Sequence, residues 1–228
     1  MHPPESIMQK FDTPAAIAAV VEIAAGRVQV IAADRTDTVV EVRPADPGKG
    51  RDVKAAENTT VAFDGGVLRI STPEPRNQLF GPSGSVEVTV QLPAGSSVTG
   101  RTDACELRGV GRLGAVDFEG AYRQIKIDEA AGVRLAAVDG DVEIGRLNGA
   151  AQITTNRGAI RIAEATVGAV VLHTHMGDIT VGAAPGVCAT LDAGTGHGRV
   201  ANALKNDGTP GLDIRATTGM GDITARSL

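Results

Sequence analysis

The chain has 228 residues, 42% hydrophobic and 21% charged, with a net charge of −5; such a chain is globular and long enough to bury a core as one larger domain or two smaller ones. The acidic balance, the lack of a Lys/Arg stripe and the 2% of aromatic residues argue against nucleic acid or an anionic membrane as partner. With no Trp, one Tyr and four Phe, the core has to come from Val, Ile, Leu and Ala, while 29 glycines point to many turns.

In chain order, the first apolar run is "AAIAAVVEIAAG", Ala15 to Gly26. It is too short to span a bilayer and carries Glu22. Asp12 and a single Lys before it make a poor signal-peptide start. The run reads as a strand or short helix, and the expected location is cytoplasmic, with the cell surface or exterior as the alternative. "GRVQVIA", "DTVVEVRP", "TTVAFDG", "GVLRIST" and "GSVEVTVQLP" then alternate apolar and polar residues as half-buried strands do. Between them, "RPADPGKGRDVKAAEN" and "TPEPRNQLFGPSGS" are rich in Pro, Gly and charge and read as loops.

The rest of the chain repeats. Thr-x-Met-Gly-Asp-Ile-Thr occurs twice, with Gly177 and Gly221 44 residues apart. Anchoring on that glycine gives a series Arg123, Gly140, Gly158, Gly177, Gly198 and Gly221, in steps of 17, 18, 19, 21 and 23 residues. Two positions after the anchor stand Ile125, Val142, Ile160, Ile179, Val200 and Ile223; five before it stand Phe118, Leu135, Ile153, Leu172, Ala193 and Ala216. Each unit is two short strands separated by a bend. One unit cannot bury its own apolar face, so units must stack, each aliphatic side chain over its counterpart. Three after the anchor, Lys126, Glu143 and Arg161 alternate in sign, and Asp117 opposes Arg134 six before it; in-register stacking favours such pairs. The bend admits either a coil whose layers pair in parallel or a hairpin tip, and "GD" is not the usual two-residue hairpin order. The expected fold is all-β, a β-solenoid (parallel β-helix-like) of stacked repeats of about 18–23 residues. Residues 1–92 form an N-terminal β-rich cap and residues 93–228 the repeats, in one continuous fold. The C-terminal "DITARSL" leaves little sequence for a second cap, so the last layer is a candidate contact.

Few residues suggest chemistry. Cys105 and Cys188 stand alone and read as small buried hydrophobes. His173 and His175 would share a strand face and, with Asp178, are the weak metal candidates; no third ligand is evident, since His197 aligns with Met176. Asp141, Asp178 and Asp222 share one position after the bend, where calcium binding or acid–base work on a sugar competes with an ordinary turn role. Thr155, Thr174, Thr195 and Thr218 form another column, read as bend residues rather than an ice-binding array. "GTGHG" lacks the Lys-Ser/Thr ending of a phosphate loop. No catalytic residue, cofactor or metal is assigned.

"FDTP", "GRVQVIAADRTDTVVEVRP", "DGGVLRI", "GSVEVTVQLPAGSSV" and the repeated "GDITV" together resemble the bacterial β-strand-repeat family named "putative adhesin", a domain of unknown function. The resemblance covers nearly the whole chain and implies a β-solenoid without assigned catalytic residues. The expected function is therefore a non-enzymatic structural or interaction protein, adhesin-like, with a protein partner or self-association through the C-terminal layer. The alternative is a carbohydrate-binding or carbohydrate-acting β-helix protein.

Overall fold

Buried and exposed side chains alternate along almost every strand, as in Val28, Val30 and Ala32 inward with Arg27 and Ala33 outward. This is what an apolar/polar period of two produces when one face meets a core. The computed structural model describes residues 7–73 and 84–228; residues 74–83 of the second loop lie outside the described residues. The described chain is nearly all β, in one large sheet that is not closed into a barrel.

Strand β1 (Ile7–Asp12) pairs antiparallel with β3 (Asp37–Pro44), and β3 pairs antiparallel with β6 (Ser85–Pro93). From there the sheet turns parallel. Strand β2 (Ala18–Ala33) lies beside β7 (Ser97–Asp139) along almost its whole length, while its first half also pairs with β5 (Val67–Ser71) and its second half with β6. Strand β4 (Thr60–Asp64) forms an antiparallel hairpin with β5. The run Ala15–Gly26 thus falls mainly in a strand. The first "loop" contains instead the one helix among the described residues, α1 (Gly50–Asn58), packed on β3 and β6. Its sequence hides it because only Ala56 and the carboxylate of Asp52 turn inward; Asp52 Oδ1 accepts the backbone N–H of Ser85 at 3.0 Å. Strand β1 carried no sequence expectation at all.

Beyond β2 the strands form two parallel ladders. One runs from the Ile125–Ala130 part of β7 through β8 (Val142–Leu147), β10 (Ile160–Ala165), β12 (Ile179–Ala183) and β16 (Ile223–Ser227) to β14 (Val200–Ala203). The other runs from the Val133–Asp139 part of β7 through β9 (Ala151–Arg157), β11 (Gly168–Met176) and β15 (Leu212–Met220) to β13 (Ala189–His197). Corresponding arms pair in parallel, which removes the hairpin alternative. Ile125, Val142, Ile160, Ile179, Ile223 and Val200 oppose one another in succession. All except Val200 are at most 1% exposed, and burying such a side chain contributes about 1.5–3 kcal/mol. Outside, Glu143 sits between Lys126 (3.1 Å) and Arg161 (3.6 Å), the charge register expected from the sequence.

One expectation is corrected. The layers do not follow chain order: the C-terminal unit, β15 and β16, inserts between β11/β12 and β13/β14. The two near-identical stretches are therefore neighbours, Met176 opposite Met220 and Ile179 opposite Ile223, although 44 residues separate their glycines. The cause is visible in the 189–203 unit, which places Asn202 in a column otherwise held by Ile and Val or Ala. An interior layer would bury that amide without partners, at a cost of about 1–3 kcal/mol. At the end of the stack Asn202 is exposed and accepts the N–H of Leu204 at 3.0 Å, while Ile214 and Ile223 gain cover on both sides.

Candidate functional site

The bend joining each pair of arms carries most of the recurring polar residues, and the structure gives each a task. Gly140, Gly158, Gly177, Gly198 and Gly221 all have positive φ, from +120° to +158°. A Cβ on Gly177 would lie 2.1 Å from the carbonyl O of Gly158, and one on Gly221 2.1 Å from that of Gly177. Only glycine permits both the torsion and this approach between layers. Arg123 begins the column with φ +106°, the one non-glycine residue with positive φ among the described residues. Such a conformation costs about 1–3 kcal/mol, so Arg123→Gly is expected to raise the melting temperature, and thermal denaturation followed by circular dichroism checks this.

The Asp column binds the next layer rather than its own turn. Asp141 Oδ1 accepts the N–H of Ala159, Asp178 Oδ1 that of Asp222, and Asp222 Oδ1 that of Arg199, each at 2.8 Å. The Thr column points inward. Thr174 donates to the carbonyl of Gly158 (3.1 Å), Thr218 to that of Gly177 (2.9 Å) and Thr195 to that of Gly221 (2.9 Å). Thr155 and Thr174 are fully buried, so this column is no outer ice-binding face. Gly, Asp and Thr together form an interlayer latch repeated along one edge.

His173 and His175 do share a face, with ring centroids 5.0 Å apart and edge to face. His173 Nδ1 hydrogen-bonds Thr217 Oγ1 at 2.8 Å, and Asp178 lies across the bend with its carboxylate committed to Asp222. His197 falls opposite Met220, which itself faces Met176, one position out of line with His175 as the sequence indicates. Among the described residues, no three His, Cys, Asp or Glu side chains are grouped to hold a metal ion. Both cysteines are free. Cys105 is buried, and burial pushes its thiol up to about 12, against a hydrogen bond from Thr102. Cys188 is half-buried beside Asp207 at 3.3 Å. Because the thiolate is the reacting form, a maleimide is expected to label Cys188 alone in the folded protein up to about pH 9; mass spectrometry of the labelled peptides checks this.

The stack ends on β13 and β14, whose outer edges pair with no described strand. Every residue of β14 is exposed, Val200 to 46%, although Val200 continues the column of Ile179 and Ile223. The sequence placed the free layer at the C-terminus; Asn202 in a core column was the signal that it lies at residues 189–203. No helix among the described residues is long and apolar enough to cross a membrane.

No protein-family model and no curated protein matches the chain. Among solved structures it is similar to a "putative cell adhesion protein" from Clostridium sporogenes, at 11% identity and TM-score 0.41, covering 98% of this chain and 100% of that one. It is also similar to a "putative adhesin" from Parabacteroides distasonis, at 13% identity and TM-score 0.40, covering 96% and 97%. A "putative adhesin" from Bacteroides fragilis matches at 16% identity and TM-score 0.52, covering 97% of each chain. The resemblance read from the sequence is thus met in the Bacteroides fragilis structure, which bears that name, and at 16% identity what the chain shares with it is its fold.

Proposed function

We propose that the chain is a non-enzymatic interaction protein, adhesin-like in build, whose units wind as a β-solenoid. Residues 1–92 cap one end and residues 93–228 form the continuous stack. One observation carries the reading: the recurring side chains able to do chemistry, the Asp column and Thr174, Thr195 and Thr218, are spent on joining layers, and Thr155 on its own bend. Stability through repeated ladders leaves the far end free to take a partner. That partner is a second copy of this chain. Strands β13 and β14 present outward the unpaired N–H and C=O groups of two strand edges, which the open layer of another copy can pair antiparallel about a two-fold axis. The two unpaired thiols suit a reducing compartment, in line with a cytoplasmic location.

Size-exclusion chromatography with light scattering tests this. The wild-type chain is expected to dimerise with rising concentration, and Val200→Lys, at the exposed edge, to remain monomeric with unchanged circular dichroism. A wild-type monomer at the highest soluble concentration would overturn the open layer as the contact.

A further inference from the structure

A cleft of about 760 Å³ opens where the start of α1 faces the bends of β2 and β7. Four basic and four acidic side chains line it, so it attracts neither anions nor cations strongly. Two pairs fix its walls: Arg27 with Glu106 at 2.8 Å and Lys49 with Asp46 at 3.1 Å. The Glu106 carboxylate, by hydrogen bond and charge, holds the Arg27 guanidinium above its ordinary range.

Several polar side chains lining the cleft make no hydrogen bond to another described residue, Glu87, Tyr122 and Arg123 among them; Arg51 is another, 3.7 Å from Asp52. Tyr122 is the chain's only tyrosine, in a protein without tryptophan, and it stands 45% exposed beside the cleft. Arg123 occupies the bend position where the later layers have glycine, at φ +106°. Stability alone favours glycine there, so what the arginine adds is its side chain. An aromatic face, a planar fork of donors and a carboxylate of acceptors thus border one charge-balanced cavity. An uncharged ring bearing adjacent hydroxyls satisfies all three: its C–H face lies on an aromatic ring while its hydroxyls accept from guanidinium and donate to carboxylate.

We propose that this cleft binds a neutral pyranose sugar, its face against Tyr122 and its hydroxyls held by Arg123 and Glu87. The site is independent of the open layer. Backbone amide NMR titration of the full chain with cellohexaose, mannohexaose, chitohexaose and, as the anionic comparison, a heparin hexasaccharide tests it. At least one neutral probe is expected to shift amides around Gly26, Ser85 and Arg123 saturably at concentrations up to about 10 mM, with Tyr122→Ala weakening it about tenfold or more. Arg123→Gly is expected to weaken binding while melting no lower than wild type, which separates lost contact from lost fold. No shift with any neutral probe, shifts confined to other regions, or binding of heparin alone would overturn the proposal.

Discussion

Gly177→Ala is expected to destabilise the protein by about 3–5 kcal/mol, an effect unusual for adding one methyl group. The added Cβ would lie 2.1 Å from the carbonyl O and 2.5 Å from the carbonyl C of Gly158. Those atoms belong to a backbone that Thr174 and the neighbouring strand already hold, with the Gly158 N–H donating to Met176 O at 2.9 Å. Neither layer can retreat without breaking the ladder on its other side. Two controls isolate the cause. Gly186→Ala has positive φ (+79°) with nothing within 4 Å of the new Cβ, and should cost only about 1–2 kcal/mol, the torsional part. Gly198→Ala meets Gly221 O at 1.9 Å, but in the outermost layer, which can shift outward, so its cost should fall between the two. Urea denaturation gives the three values. Equal losses for Gly177 and Gly186 would show that interlayer contact plays no part.

Much of this was readable in the residues, and the limits of that reading have physical causes. The ladders were legible because an apolar column tolerates few substitutions once it is covered on both sides. The order of the layers was not, because a column lists which residues are equivalent and is silent on which touch. Asn202 and the near-identity of the two Met-Gly-Asp-Ile stretches were the clues, one marking an end and the other a shared environment. The Asp column reads as turn residues bonding their own backbone, whereas its partner is an amide in the next layer, which only coordinates reveal. Helix α1 stayed hidden because nine residues with two buried positions leave too little periodicity to see. Tyr122 and Glu87 gave no hint of a site, since a cleft assembled from five separate segments has no local signature. Its one trace is Arg123, an arginine in a glycine column.

Ile179→Asp is expected to be the most damaging single change, by about 5 kcal/mol or more, a large share of a domain's stability. Ile179 is fully buried between Ile160 and Ile223. The substitution forfeits about 2–3 kcal/mol of apolar burial and then either strands a charge or forces its protonation, at several kcal/mol more. Its neighbour behaves differently. Asp178→Asn retains an oxygen to accept the N–H of Asp222 and should be almost silent, whereas Asp178→Ala removes the acceptor and should cost about 1 kcal/mol. The same column also tests the layer order. Stacking in chain order would leave Ile223 at the free end and Val200 inside; the observed order reverses them. Ile223→Asp should therefore approach Ile179→Asp in severity, while Val200→Asp, at a site already 46% exposed, should cost no more than about 1 kcal/mol. Denaturant midpoints for the three variants decide it, and a Val200→Asp protein less stable than Ile223→Asp would restore chain order and move the open layer back to the C-terminus.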